Sequence, residues 1–318
     1  MQKSIGEFNG KTVYNVKFDN LTDLYDYLKS NPEVNKRIFV SQASIENEQS
    51  FSGENLSKSI EYLIKGYKNN LDNFLVVNKN LNKTTKEFTE NRTLERTMYG
   101  GFFQPALVAA GVPNCNFRYN RNSKKNVRNI YYNLAISGSE TKNQIINRGI
   151  ALLYIIESLE KAGELVNLKV FNLTQTDNEI INIELLLKKP GELFLDTEKC
   201  QFPLTSIEMT RRIILRVMES IEVNEIYWSL NYGDYFWEDE IRKFFNVKDY
   251  DLVIASPHQM GIQGINIYDD TISLIKALHL EEYFNLNSIE ELKKHEDERL
   301  QAEQLNKTVP KKVRIRAK

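Results

Sequence analysis

Residues 133–140, NLAISGSE, mark the point where an apolar segment changes to a helical pattern, and they decide the fold. The segment RNIYYNLAI (128–136) is typical of a buried strand, and residues 142–162 carry apolar side chains at helical spacing up to the helix-terminating Gly163. A strand, a Ser-Gly-Ser turn and a helix begin a βαβ unit. Open α/β sheets bind ligands at the carboxyl ends of their strands. The turn is therefore the first candidate site.

Strands and helices continue to alternate after this unit. Strands are predicted at 165–173, 179–189, 225–230 and 251–256, and helices at 203–220, 237–246 and 269–280. This alternation predicts an α/β fold with a doubly wound, mostly parallel sheet. Because only the turn TQTDN separates the second strand from the third, residues 179–189 are expected to form one antiparallel edge strand. The helix at 203–220 is expected to begin at Thr205 or Ser206.

The chain divides by pattern into three regions. Residues 1–127 are predicted to form an N-terminal mixed α+β extension, and residues 128–283 the α/β domain. Residues 284–318 are predicted to form a charged helix followed by a basic tail that a proline interrupts.

Composition and charge favour an ordinary cytoplasmic protein. The 318 residues carry a formal net charge of −1, so the chain as a whole is not an electrostatic nucleic-acid binder. Two cysteines are too few for a disulfide scaffold and are typical of a reducing compartment. The first residues lack the layout of a signal peptide, and no apolar run reaches the roughly 20 residues of a membrane helix. We therefore expect no membrane partner.

The segment AISGS (135–139) resembles the Asp-x-Ser-Gly-Ser signature of the von Willebrand factor type A family. Members of that family begin with the same strand, turn and helix, and hold a divalent cation above the sheet. The resemblance implies a von Willebrand type A-like core in which Ser137 and Ser139 occupy the positions of two ligating serines. Thr205 or Ser206 is a loose counterpart of the family's threonine.

Two departures from that signature argue against a cation. Ala135 replaces the leading aspartate, and the strand at 251–256 runs into SPH (256–258) without an adjacent carboxylate. Because Mg²⁺ prefers oxygen ligands that include carboxylates, two hydroxyls make a poor site. We therefore expect a degenerate magnesium site, with no metal and no cofactor. In the simplest alternative, Ser137 and Ser139 only cap the following helix.

A second resemblance, over roughly residues 50–280, is to an uncharacterised family of tailed-bacteriophage and prophage proteins. Its motifs are FSGE (51–54) before GY (66–67), GVPNC (111–115), and RG (148–149) in a helix that ends in LEKAG (159–163). The resemblance implies a phage origin, hence the cytoplasm of a bacterial host, and no established activity. Within the last motif, Gly149 is expected to mark close packing of the helix on the sheet.

The sequence favours a non-enzymatic interaction or adaptor protein that binds a partner protein at the top of the sheet, where its parallel strands end. The chain lacks a GxxxxGK[ST] phosphate loop, a GxGxxG turn, an HExxH motif and a GxSxG elbow. The candidate binding residues come from the loops expected at the top of the sheet: Ser137, Ser139, Thr205, Ser256 and His258.

Two alternatives stay open. A hydrolase built from Ser137, Ser139 and His258 ranks third, so whether the chain is an enzyme is undecided at this stage. The second-ranked alternative is a nucleic-acid-associated protein that uses the basic segment 118–128 and the C-terminal tail. Its phosphate contacts would be Arg118, Arg121, Lys124, Lys125 and Arg128.

Overall fold

The computed structural model describes the α/β region almost completely and the N-terminal region in parts. The residues it describes are 1–34, 53–67, 75, 77, 79–81, 93–97, 102–103, 108–109, 116–120, 127–192, 197–222 and 234–308. The predicted strand at 225–230 and the GVPNC motif at 111–115 lie outside these residues.

The elements alternate as predicted from residue 127 onward. The strands are β1 (Gln2–Phe8), β2 (Lys11–Phe18), β3 (Thr93–Thr97), β4 (Phe102–Phe103), β5 (Asn116–Asn120), β6 (Val127–Asn133), β7 (Leu165–Gln175), β8 (Glu179–Lys188), β9 (Asp234–Tyr235) and β10 (Leu252–Ile254). The α-helices are α1 (Leu21–Lys29), α2 (Leu56–Lys65), α3 (Lys142–Lys161), α4 (Thr197–Thr205), α5 (Leu215–Glu219), α6 (Glu238–Phe245), α7 (Ile267–Ala277) and α8 (Leu286–Thr308). A π-helix (Met209–Ile214) precedes α5, and a 3₁₀ turn (Glu281–Tyr283) precedes α8.

The main sheet is mixed and runs in the order β1-β2-β8-β7-β6-β10, with β9 pairing with the end of β7. β6 is parallel to β7 and β10, which confirms the βαβ unit expected around the Ser-Gly-Ser turn. β8 is antiparallel to β7, as predicted, but it is not an edge strand. β2 pairs with it in parallel, from Thr12↔Glu179 to Phe18↔Leu185. The prediction of an antiparallel edge was wrong because the start of the chain, remote in sequence, supplies two further strands.

One face of the sheet carries most of the described helices. Phe18, Val170 and Tyr132 lie in one row across the strands and therefore point to the same side. The Phe18 ring lies 5.6 Å from that of Tyr27 in α1, and the Tyr132 hydroxyl donates to the Leu204 carbonyl of α4 at 2.7 Å. Helix α6 packs on the opposite face, so helices lie on both sides of the sheet but cover them unequally.

Helix α3 is enclosed between the sheet and its neighbouring helices, and every side chain from Arg148 to Ile156 is buried. Gly149 makes this packing possible, because a Cβ there would overlap the carbonyl oxygen of Leu204. The predicted close packing is confirmed. The element that packs closely on α3 at Gly149, however, is the helix α4 and not the sheet.

Thr141 caps α3, and the alternative in which Ser137 or Ser139 caps it was wrong. Gln144 N donates to Thr141 Oγ1 at 3.3 Å, and Thr141 N donates to Gln144 Oε1 at 2.7 Å. This reciprocal pair is a capping box. The serines are too early in the chain for this role, because the first helical turn begins after Thr141.

The helix predicted at 203–220 is divided. α4 already begins at Thr197, and Thr205 ends it, so Thr205 closes a helix and does not open one. Ser206 Oγ accepts from Glu208 N at 3.1 Å at the break before the π-helix. The predicted start was wrong because Pro203, a residue typical of a first helical turn, lies inside α4.

The charged C-terminal helix is attached to the α/β core by its first turns. Ile289 is fully buried, and Lys293 Nζ lies 2.8 Å from Asp269 Oδ2 on α7.

Elsewhere, β3, β5 and β4 form a separate small sheet in that order. Within the described ranges, no helix is long and apolar enough to cross a membrane.

Candidate functional site

A buried carboxylate joins the two loops that follow β6 and β10. Glu140 is 7% exposed, and its Oε2 accepts from Ser137 N at 2.8 Å. Its Oε1 accepts from His258 N at 3.3 Å. Because hydrogen bonds to a charged acceptor are stronger than neutral ones, this carboxylate holds the two loops in one position. The sequence predictions did not include Glu140, although it directly follows the Ser-Gly-Ser turn.

Ser137, Ser139 and His258 are brought together at the surface by this arrangement. The two serine hydroxyl oxygens lie 2.9 Å apart, and Ser139 N donates to Ser137 Oγ at 3.3 Å. Ser139 and His258 are exposed, and Ser137 is half-buried. In the described part of the chain, no hydrogen bond joins the His258 imidazole to either hydroxyl. The nucleophile–base pair of a serine hydrolase is therefore not formed.

Thr205 and Ser256 are buried, since each is only 1% exposed, and so neither belongs to this surface. The Thr205 hydroxyl donates to the Gln201 carbonyl at 2.9 Å, one turn earlier in α4. The Ser256 hydroxyl has no hydrogen-bond partner among the residues that the structure describes. Thr210 instead reaches the start of the Ser-Gly-Ser loop, because its Oγ1 donates to the Leu134 carbonyl at 2.9 Å. Thr210 was not among the predicted site residues.

Arg148 fixes the ends of the strands beneath these loops. It is 1% exposed, and it donates to the Ala255 carbonyl at 2.6 Å and to the Tyr132 hydroxyl at 3.0 Å. Burial raises the pKa of the Tyr132 phenol against the opposing attraction of Arg148. The hydroxyl therefore stays protonated and donates to Leu204 of α4. These bonds tie β6, β10, α3 and α4 together at the base of the site.

The loop between β10 and α7 lies against the start of α3 and exposes an isoleucine. Asp270 is 1% exposed, and it accepts from Gln263 N at 2.7 Å and from Gly264 N at 3.0 Å. Gly264 has a φ of +73°, and a Cβ there would lie 2.8 Å from Gln144 Cγ, so the backbone approaches α3 closely. Ile265 follows directly and is 88% exposed.

Trp237 presents a second large side chain beside the loop that holds His258, and it is 58% exposed. Glu238 N donates to Gln259 Oε1 at 3.2 Å, and Gln259 Nε2 donates to the Phe236 carbonyl at 3.4 Å. The start of α6 is therefore attached to that loop. We call the resulting surface the loop face; its residues are Ser137, Ser139, Trp237, His258 and Ile265.

Comparison with known proteins identifies a family for the chain. A family described as a domain of unknown function (DUF7192) matches residues 3–283, from β1 to the turn before α8. The chain belongs to the DUF7192 family. No curated protein and no solved structure matches it. The DUF7192 match covers the whole main sheet and both loops joined by Glu140, so the loop face belongs to the domain that defines the family.

The donor groups of the loop face in this DUF7192 chain can be compared with the ligands that Mg²⁺ prefers. Ala135 is 5% exposed and offers no ligand, and the hydroxyls of Ser137 and Ser139 contact each other. Both oxygens of Glu140 accept from backbone N–H groups. Since Mg²⁺ binding normally requires carboxylate oxygen, this donor set is poor. Among the described residues, no group of three or more His, Cys, Asp or Glu could hold a metal.

Arg128 is the one predicted phosphate contact of the segment 118–128 whose side chain the structure describes. Its Nη2 donates to Glu164 Oε1 at 2.8 Å and to the Tyr283 hydroxyl at 3.2 Å. Burial disfavours the charge of Arg128, but the contact with Glu164 outweighs burial and raises its pKa. Burial and Glu164 also raise the pKa of Tyr283 to about 12. The charge of Arg128 is thus compensated inside the fold.

The other predicted phosphate contacts lie outside the described side chains. Arg118 lies in β5, whose backbone alone is described. Arg121, Lys124, Lys125 and the basic residues of the tail after 308 lie outside the described residues. The nucleic-acid alternative therefore stays a prediction for these positions.

Proposed function

We propose that this DUF7192 protein is a non-enzymatic interaction protein that binds a partner protein through the loop face. The observation that carries the proposal is Ile265, which is 88% exposed on a loop that Asp270 holds in place. Burying such a side chain against a partner contributes about 1.5–3 kcal/mol. Because the loop is already ordered, little of this free energy is lost in fixing it on binding.

The other residues of the loop face complete an interface of ordinary composition. Trp237 supplies a second apolar anchor, and the serine hydroxyls and the His258 imidazole supply hydrogen-bonding groups beside it. Protein interfaces combine a few large anchors with a polar rim. The partner is accordingly a protein surface with an apolar pocket for Ile265 and polar groups opposite Ser137 and Ser139.

Three further features belong to this proposal. The unit β6-α3-β7 with its Ser-Gly-Ser turn, followed by antiparallel β8, supports a von Willebrand type A-like core. Ala135 and the contact between the two serine hydroxyls support binding without a metal. The motifs at 148–149 and 159–163, which resemble those of tailed-phage and prophage proteins, support a phage origin and action in a bacterial host's cytoplasm.

The substitution Ile265→Ser tests the proposed interface. Proteins recovered with the tagged chain from expressing cells are purified, and their direct binding is measured by isothermal titration calorimetry. We expect Ile265→Ser to raise the Kd of the partner about tenfold or more, which is about 1.4 kcal/mol, because an apolar anchor is lost. Trp237→Ala is expected to act in the same direction.

The matched control is Ile5→Ser. Ile5 is 73% exposed on β1, at the opposite edge of the sheet from β10, so its replacement is expected to leave the Kd unchanged. An unchanged Kd for both Ile265→Ser and Trp237→Ala would contradict the proposal. So would an equal increase in Kd for the Ile5 control.

A further inference from the structure

Polar side chains occupy one face of the strands β2 and β8, on the side of the sheet opposite α3. Alternate residues of a strand point to one face, and here Asn15 pairs with Asn182 and Lys17 with Glu184. Strands of an α/β sheet that helices cover on both faces are apolar at such positions. These four polar residues therefore indicate that no helix packs directly on this part of the sheet.

A concave pocket lies over these residues. Its volume is about 390 Å³, within the range of small-molecule sites. Asn15, Lys17, Asn182 and Glu184 form its floor, and residues of α6 and β6 form a wall beside them. We call it the sheet-face pocket. It is separate from the loop face, which lies at the ends of the strands.

Aromatic rings form the wall of the sheet-face pocket. The rings of Phe244 and Phe245 at the end of α6 lie 5.0 Å apart, and both residues are half-buried. Phe245 lies 5.3 Å from Tyr131 of β6, and Phe244 lies 5.0 Å from Phe8 of β1. Aromatic pairs in stacked or edge-to-face contact gain about 0.5–1.5 kcal/mol beyond burial. This wall therefore favours a ligand that contains a flat aromatic ring.

The polar groups of the floor are fixed by one another. Lys17 Nζ lies 2.9 Å from Glu184 Oε1, so these two charges are balanced. Asn182 Nδ2 donates to the same carboxylate oxygen at 2.8 Å and to Asn15 Oδ1 at 2.8 Å. A few polar groups held in place beside an apolar wall orient a ligand in small-molecule sites.

Lys169 differs from Lys17, because its ammonium group lies within ion-pair distance of no carboxylate of the described residues, although Glu7 also lines the pocket. The Lys169 Nζ lies 5.5 Å from the centroid of the Tyr131 ring. The side chain is half-buried and lines the pocket. An ammonium group at the edge of a partly enclosed pocket favours an anionic ligand group, since charge-assisted hydrogen bonds are stronger than neutral ones.

We propose that the sheet-face pocket binds a flat aromatic anion, that is, a ring or fused ring pair that carries a carboxylate or a phosphate group. The ring packs on Phe244 and Phe245, the polar edge of the ring meets the half-buried Asn15 amide, and the anionic group lies at Lys169. This ligand is distinct from the partner protein of the loop face, so either proposal can fail alone.

Four probes test this ligand class on the full chain by isothermal titration calorimetry. Adenosine monophosphate and indole-3-acetate carry a ring with a phosphate and with a carboxylate, adenosine carries a ring without charge, and inorganic phosphate carries charge without a ring. We expect at least one anionic ring to bind with a Kd at least about tenfold below those of adenosine and phosphate. No saturable binding of either anionic ring at millimolar concentration, or equal binding of adenosine, would overturn the proposal.

Substitution of Lys169 locates the binding. Lys169→Ala is expected to raise the Kd of the anionic ring about tenfold or more, and Lys169→Arg to restore most of the affinity. Lys248→Ala is the matched control, because Lys248 Nζ lies 5.8 Å from the Tyr250 ring in a similar contact outside the pocket. Thermal unfolding checks that each variant is folded. A Kd unchanged by Lys169→Ala, or raised equally by Lys248→Ala, would overturn the assignment.

Discussion

At the scale of single residues, two buried carboxylates accept hydrogen bonds from the backbone N–H groups of loops. Glu140 accepts from the loops after β6 and β10, and Asp270 accepts from the loop that carries Ile265. These N–H groups have no partner from a helix or a strand ladder, and a buried N–H without a partner is costly. Each carboxylate thus gives a loop the order that regular structure would otherwise supply.

Replacing Glu140 by glutamine is expected to destabilise the protein. The amide keeps one acceptor but turns an NH₂ group toward a backbone N–H, so one part-buried donor, at Ser137 or His258, loses its partner. The expected loss is about 1–3 kcal/mol in the free energy of unfolding, measured by urea denaturation. Glu290→Gln on the exposed side of α8 is the control, with no expected change. Equal stability of the two variants would show that Glu140 does not hold the loops.

The site residues show what the sequence can and cannot predict at this scale. The approach of Ser137 and Ser139 to His258 follows from one rule, since the carboxyl ends of adjacent parallel strands meet at one edge of the sheet. Glu140 was missed because its role depends on a contact 118 residues away along the chain. Ile265 was missed because Ile262 lies between Gly261 and Gln263 in the same way and is 1% exposed, so the local pattern does not indicate which isoleucine is exposed.

At the scale of elements, the contact between α3 and α4 depends on a single missing methyl group. Gly149 lies against the Leu204 carbonyl, and Arg148 beside it bonds to the end of β10. Adjacent residues of one helix turn therefore serve two different contacts. Helix α3 was predictable from local spacing. Its crossing with α4 was not predictable, because Pro203 suggested that a helix begins there, whereas α4 begins at Thr197.

Gly149→Ala is expected to destabilise the protein although alanine is the better helix former. Alanine would gain about 1 kcal/mol in an exposed helix, but here its Cβ overlaps a carbonyl oxygen and forces α4 away. We expect a net loss of about 1–3 kcal/mol, as for other overpacked sites, measured by urea denaturation. Gly138→Ala is the control, because no atom lies within 4 Å of a Cβ at Gly138. A stabilised Gly149→Ala variant would contradict the packing described for α3.

At the scale of the whole molecule, the N-terminal hairpin and the α/β region share one sheet. β2 pairs with β8 over seven positions, and Tyr14, Val16 and Phe18 of β2 are buried in the common core. Local patterns predicted β6, β7, β8 and β10, whereas the N-terminal region was predicted only as a mixed α+β extension. The pairing of β2 with β8 was not predictable, because nothing near residue 12 in sequence indicates that its partner is residue 179.

The fragment 128–283 is therefore expected to be unstable without the hairpin. β8 would become an edge strand with unpaired backbone groups, and Ile181 and Ile183 would lose the cover of β2. We expect the fragment to aggregate or to unfold without cooperativity, measured by size-exclusion chromatography and circular dichroism. The fragment 1–283, which lacks α8 equally, is expected to stay monodisperse with a cooperative transition. Matching behaviour of the two fragments would mean that the hairpin is dispensable.

The pairing of β2 with β8 also sets an order of events during synthesis. Thr12 leaves the ribosome 179 − 12 = 167 residues before its partner Glu179. At about 5–20 residues per second, this delay is about 8–33 s. During this delay, the edge of β2 that later pairs with β8 has no partner strand, and its apolar side chains have no core to pack against. The hairpin, although translated before the α/β region, is therefore among the last elements to reach its native place, and a chaperone that shields nascent chains has its clearest target in residues 11–18.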